Sequence, residues 1–322
     1  MILHPLRAAS VLAALLLPLA AQAQAPYPSQ AIKFIVPYAA GGLPDTTARI
    51  AGLRLQEKIG QNVVVENRPG GAGSVAVSAL SQAPADGYTL MVTDGSTVTV
   101  NPALFKSLSY NAKDVVPIAL LGRAPLFLAV NASVPVNSLK EFIDYVKAHP
   151  GEINYGSSGV GSPHHLSMEA MKAALGLQMT HVPYRGTGQS VPALLGGHVQ
   201  VLFSAYPSLA AALADKRVRL LATNGAQPSP QAPDVPPIAS VIPGYDLATM
   251  VGLFARVGTP QAILKKLDDE SIAVVKLPET RKQMEGAGIE PAGEDAAAFA
   301  RYLAAEAAHV AKVIETAAIK VE

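Results

Sequence analysis

Three stretches of the sequence place glycines, hydroxyls and tyrosines where a strand-like run gives way to a helical pattern. They are Pro37-Tyr38-Ala39-Ala40-Gly41-Gly42, Gly156-Ser157-Ser158-Gly159-Val160-Gly161-Ser162 and Tyr184-Arg185-Gly186-Thr187-Gly188. The chemistry they suggest is anion capture. A helix N-terminus carries N–H groups without an intrahelical partner and a partial positive charge, and glycine lets a ligand approach the backbone closely. Together the loops could cradle a carboxylate. Each also has a plainer reading: glycine is common in such turns, Ser162 can cap a helix with Pro163 at its first position, and Thr187 can cap another.

Charged residues near these loops leave their roles open. Arg185 suits a charge-assisted contact to an anion or a surface salt bridge equally well. Asp45 is expected near the second or third helical position, complementing the helix dipole. Asp94, in Thr93-Asp94-Gly95-Ser96-Thr97, sits where a ligand ammonium could pair with it, although a turn-forming Asp-Gly is the simpler role.

Catalytic signatures are missing. The sequence has no G-x-x-x-x-G-K-[ST], no H-E-x-x-H, no G-x-S-x-G and no cysteine. The glycines of 156–162 do not fit a dinucleotide loop. His164 and His165 are adjacent, so on a helix they point about 100° apart and cannot easily share a metal ion. No metal, no cofactor and no catalytic residue is expected. An exported hydrolase using His164, His165 or a loop serine is the rival class, and it would need a base within hydrogen-bond reach of the nucleophile.

Composition narrows the setting. The chain has 322 residues, 25 Lys plus Arg against 24 Asp plus Glu, and half of its residues are apolar. This excludes a disordered chain and a disulfide scaffold, and gives no basic excess for nucleic acid. Residues 1–25 read as a signal peptide: Arg7, an apolar run from Ala8 to Ala20, then Ala21-Gln22-Ala23-Gln24-Ala25 with two overlapping cleavage options. That run is shorter than the roughly 20 residues a membrane helix needs. Its removal takes Arg7 and leaves the charges balanced, so a charged ligand must be recognised locally rather than steered. The expectation at this point is a secreted soluble protein, acting as a monomer.

The elements that must hold these loops alternate. Ile32–Val36, Val63–Val65 and Thr89–Thr93 read as strands, separated by a helix that Gly60 closes and a helix over 74–82. Further strands are expected at 127–130, 179–182, 199–203, 218–222 and 250–255, with helices after Ser138, Ser162 and Gln189. A proline-rich connector spans 225–243, and helices over 260–275, 279–287 and 294–318 follow. At roughly 300 residues two lobes are the better prior. Alternation at this spacing favours parallel sheets with helices on both faces, and the expected fold class is α/β with mixed, mainly parallel sheets.

Over nearly its whole length the chain resembles the substrate-binding receptors of tripartite tricarboxylate transporters, the Bug or TctC-like periplasmic proteins. The resemblance rests on Tyr27-Pro28-Ser29-Gln30, Ile35 to Gly42, Asp45 and Arg49, Val65-Glu66-Asn67-Arg68-Pro69-Gly70, Ala85 to Leu90, Asn101-Pro102, Tyr155 to Gly159, Val182 to Gly186, Leu195 to Val199, Asp234-Val235-Pro236 and Gly258-Thr259-Pro260. It implies a Venus-flytrap fold, a two-lobed type II-like periplasmic binding protein with crossing hinge strands. Lobe 1 is expected over 26–124 plus 246–322 and lobe 2 over 125–245. It also implies a small carboxylate ligand (dicarboxylate, tricarboxylate, amino acid or aromatic acid) handed to a membrane permease or to a sensor kinase. By the resemblance, the ligand-binding positions are Tyr38, Ala40, Gly41 and Gly42; Thr93, Asp94, Ser96 and Thr97; Ser157, Ser158, Gly161, Ser162 and His165; and Tyr184, Arg185 and Gly186. The chain departs from the family at Gln200, where an acid is usual. Asp94 is also unusual; beside the cleft it would repel a dianion and suit an amino acid or a monoanion.

Overall fold

The computed structural model describes residues 27–38, 40–184 and 186–316; the expected signal peptide and Arg185 lie outside the described residues. Among the described residues eleven strands form two sheets. The first contains β1 (Ile32–Val36), β2 (Val63–Asn67), β3 (Thr89–Thr93), β4 (Val115–Ala124), β10 (Thr249–Arg256) and β11 (Glu290–Asp295), in the order β11-β4-β10-β3-β1-β2. The second contains β5 (Leu126–Asn131), β6 (Asn154–Ser157), β7 (Thr180–Pro183), β8 (Val201–Ala205) and β9 (Val218–Thr223), in the order β7-β6-β8-β5-β9. Only Pro125 separates β4 from β5, so the chain passes directly from one sheet to the other.

Helices cover both faces of each sheet, which is why the central strands are largely apolar. Helix Leu43–Ile59 packs Ala48, Ala51 and Leu55 with Phe34 and Leu253, while Phe299 and Leu303 close the opposite face over Met91 and Phe254. In the second sheet Tyr155 and Phe203 meet Phe142 and Met171 on one side, and Val191, Leu194 and Leu209 cover the other. The long helix Ala296–Thr316 joins both cores: Phe299 and Leu303 belong to the first sheet's core, Val310 and Val313 to the second's. Among the described residues no helix is long and apolar enough to cross a membrane.

Both sheets are mixed, with more antiparallel pairing than simple alternation suggests. Parallel pairs join β1 to β2 and β3, and β6 to β7 and β8, whereas β10, β4 and β11 pair antiparallel, as does β5 with β8 and β9. The sequence pattern hides two of these strands. β4 contains Pro117, which pairs with Phe254 of β10 beside a register shift between Leu253 and Phe254 and lies outside the β11 ladder, which joins β4 only from Ala119 on. β11 has the polar sequence EPAGED, and its pairing partner is distant in the chain. The helix expected from 294 therefore begins at Ala296, where Asp295 Oδ1 accepts from the N–H of Ala298 at 2.7 Å.

Candidate ligand-binding cleft

The loop after β1 is built by a carboxylate. Gly41 adopts φ +86°, a left-handed conformation that suits glycine, and Gly42 precedes the helix Leu43–Ile59 with Pro44 in its first turn. Asp45 is buried, and its Oδ2 accepts from the N–H of Gly41 at 2.8 Å and from Arg49 Nε at 3.0 Å. Asn67, at the end of β2, donates to Asp45 Oδ1 (2.9 Å) and to the carbonyl of Tyr38 (3.0 Å). Burial works to raise the Asp45 carboxyl, but the bonds from Arg49, Gly41 and Asn67 outweigh it and hold the group below its ordinary range. The role expected for Asp45 at the helix start is thus extended: it also ties the loop's shape to the neighbouring strand.

Asp94 ends β3. Its Oδ1 accepts from the Tyr38 hydroxyl (2.8 Å), the Ser96 hydroxyl (2.7 Å) and the Ser96 N–H (3.1 Å). The last bond is the side-chain turn expected of Asp-Gly, and Asp94 faces the cleft as well. Burial, then the Asp94 charge, pushes the Tyr38 phenol well above its ordinary pKa, so it stays a hydrogen-bond donor.

The loop after β6 is held by hydroxyls and imidazoles. Ser162 caps helix Pro163–Leu175, accepting from the N–H of His165, and its hydroxyl donates to the Gly159 carbonyl at 2.7 Å. Ser157 Oγ lies 2.7 Å from His181 Nε2, and Ser158 Oγ lies 2.7 Å from His164 Nδ1. The rings of His165 and His181 stack at 4.1 Å between centroids, with Tyr155 stacked on His181 at 4.8 Å. Below them Tyr155 donates to Glu169, which pairs with Lys172. Burial lowers His164 to about 4; burial and then His165 lower His181 to about 4. The His164 and Ser158 spacing is that of a nucleophile and base, but a base poised near neutrality works best, and a neutral His164 with so low a pKa is suited to hydrogen bonding instead.

Between the sheets lies a cleft of about 640 Å³. Of the residues expected to bind ligand, Tyr38, Gly41, Gly42, Asp94 and Ser96 line it from one side and Ser158, Gly161, Ser162 and Gly186 from the other. The helices Leu43–Ile59, Pro163–Leu175 and Thr187–Leu195 all begin at its wall. Among the described lining residues Asp94 is the one acid, and none is Lys or Arg.

Other expected residues sit behind the wall. Thr93, Thr97, Ser157 and His165 are buried, and their side chains belong to the support of the loops. Tyr184 is partly buried next to the Ser157 loop, its N–H donating to the Ser157 carbonyl at 3.1 Å, and Ala40 is exposed outside the lining. Gly161 lines the cleft, yet its N–H is spent on His165 Nδ1 at 3.1 Å. Gln200, in place of the usual acid, supplies a structural contact of its own: Oε1 accepts from the N–H of Asn154 at 2.9 Å.

The lining also includes Asn101, Leu104, Phe105, Leu126, Ala205 and Thr249, which sequence reasoning did not mark as binding residues. Asn101 had a signal in the Asn101-Pro102 pair; the apolar positions had none, because an apolar residue of a cleft looks like an apolar residue of a core. Leu104 and Gly161 approach each other closely across the cleft: a Cβ on Gly161, whose φ is +76°, would lie 2.4 Å from Leu104 Cδ2.

The chain is 35% identical over 269 residues to a UPF0065 protein of Bordetella pertussis, covering 82% of each chain. It is 33% identical over 245 residues to protein BugT of the same organism, covering 75% of each. Among solved structures it is similar to an adipate-bound protein of R. palustris (TM-score 0.81, 32% identity, 91% of this chain and 99% of that one). It also resembles MatC of Rhodopseudomonas palustris with bound malate (TM-score 0.75, 28% identity, 89% and 100%). The model of the tripartite tricarboxylate transporter family receptor matches residues 47–319, and the chain belongs to that family.

Proposed function

We propose that the protein is an extracytoplasmic solute-binding receptor that captures a small carboxylate in the cleft between its two sheets and delivers it to a tripartite tricarboxylate-type membrane permease. The observation that carries this reading is the convergence of three helix N-termini on one cleft whose described lining has no Lys or Arg. An anion entering such a site recovers its lost hydration from main-chain N–H groups, hydroxyls and ordered water, since an unpaired buried charge costs several kcal/mol. The adipate and malate in two related structures support the ligand class, and the sequence of residues 1–25 supports export to the periplasm.

The lobes are assigned as 26–124 with 246–322 and 125–245, and closure of one on the other stabilises the complex to the extent that the ligand prefers the closed form. Nothing in this mechanism requires catalysis. A thermal-shift screen against dicarboxylates, citrate, acidic amino acids and aromatic acids tests it. A ligand at a hundred times its Kd should stabilise by about 2.7 kcal/mol, which is a shift of several degrees. A panel that leaves the melting temperature unmoved, in a protein shown by mass spectrometry to carry no ligand, would overturn the reading.

A further inference from the structure

The long helix Ala296–Thr316 carries a second acid to the cleft. Glu306 lies midway between the part of that helix packed on the first sheet and the part packed on the second. Its Oε2 is sealed from solvent and has no hydrogen-bond partner among the described residues. With Asp94, Ser96, Ser167 and Thr249 it lines a small cavity of about 20 Å³, large enough for one water-sized group. Asp94, Ser96, Pro163 and Thr249 also line the main cleft, so the cavity is an inner annex of it.

Both acids have capacity to spare for a donor. The hydrogen bonds Asp94 makes among the described residues fall on Oδ1, and Glu306 Oε2 is unpartnered. Burial first, and the Asp94 charge second, push Glu306 up to about 8, a cost that a cation placed beside the two acids would relieve. Arg123 and Asp246 act on Glu306 in opposite directions and pair with each other at 3.3 Å, Thr99 offers a hydroxyl that lowers its pKa, and Tyr38 faces Asp94 with its own proton. No Lys or Arg among the described residues lines the annex to neutralise it. A second carboxylate placed there would meet like charge; an ammonium would meet two acceptors.

Resting on the receptor reading above, we infer that Asp94 and Glu306 form a cation-reading end of the cleft, and that the preferred ligand is an amino carboxylate. Its carboxylate sits on the helix N-termini and its ammonium in the annex. Leu104, Phe105 and Leu126 give the space between them an apolar lining, which suits an aliphatic body.

Calorimetric titration with four six-carbon probes, 6-aminohexanoate, L-norleucine, hexanoate and adipate, tests this. At least one of the two amino carboxylates should bind the native protein more tightly than hexanoate and adipate. In Asp94→Asn its preference over hexanoate should fall about ten- to hundredfold, the worth of a charge-assisted hydrogen bond. Glu306→Gln should reduce the same ratio severalfold, and it serves as the second variant if Asp94→Asn does not fold. Adipate or hexanoate binding the native protein as tightly as both amino carboxylates would overturn the inference and leave the receptor reading standing, as would an unchanged ratio in a folded variant. Failure of all four probes to bind overturns it together with the carboxylate-receptor reading for this ligand size.

Discussion

The two loops that face each other across the cleft are held by different chemistry. The Tyr38 to Gly42 loop hangs on an ionised carboxylate, Asp45, with Arg49 and Asn67 around it. The Ser157 to Ser162 loop hangs on hydroxyls and on the neutral imidazoles of His164, His165 and His181. Both solutions turn glycine-rich backbone toward a ligand, but they respond differently to mutation and to acid. A single residue organises the first loop, whereas the second spreads the task over several weaker bonds.

The largest effect is therefore expected at Asp45. Asp45→Ala removes the acceptor for the Gly41 N–H and for buried polar groups around it, and should cost about 2–3 kcal/mol in urea unfolding. Ligand affinity should fall with it, because the loop loses its shape. Ser158→Ala, by contrast, should cost about 1 kcal/mol or less. If the two losses were equal, the difference between the loops would disappear.

Next in size is the contact across the cleft. Gly161→Ala forces a side chain into a left-handed conformation and against Leu104, so about 1–2 kcal/mol of binding energy should be lost. Leu104→Ala in the same chain should restore part of the affinity by removing the clash, while the backbone strain remains. Calorimetry of the two single variants and the double variant separates these contributions.

Acid should distinguish the loops more gently. The depressed imidazoles of His164 and His181 contribute fully only above their unfolded value of 6.5, and stability should fall as pH drops from there toward about 4. At these two histidines the unfolded chain binds more protons over that range than the native one. The Asp45 network, whose carboxyl is lowered from 3.8, should hold until pH falls below the ordinary carboxylate range. Glu306, raised from 4.5 to about 8, works in the opposite direction over part of this range, so the profile is read in Glu306→Gln: from about pH 7.5 to about pH 3.5 its melting temperature should show the histidine-linked decline first, and a profile of that variant flat down to about pH 4 would contradict the assignment.

Much of this was legible in the sequence, for reasons particular residues make clear. β1, β3 and β5 are mostly apolar, with Lys33 the one charged residue among them, because both faces of the sheets are covered, and Gly60, Ser138 and Ser162 mark helix ends through local chemistry that needs no tertiary partner. β4 and β11 were hidden because Pro117 and the polar EPAGED segment acquire their strand character only from partners distant in the chain. At the cleft, the glycine and serine loops announced themselves. Leu104, Phe105 and Glu306 did not: their place depends on how Ala296–Thr316 and the Asn101 segment cross the space between the sheets, which spacing along the chain does not encode.

The central claim is that main-chain N–H groups at helix starts on both sides of the cleft hold the ligand carboxylate. A crystal structure of the protein with a bound member of the carboxylate panel tests it most directly. The account expects carboxylate oxygens about 2.7–3.2 Å from backbone nitrogens at the starts of the helices Leu43–Ile59 and Pro163–Leu175. A carboxylate held instead by a lysine or arginine side chain, or lying outside the space between the sheets, would contradict it.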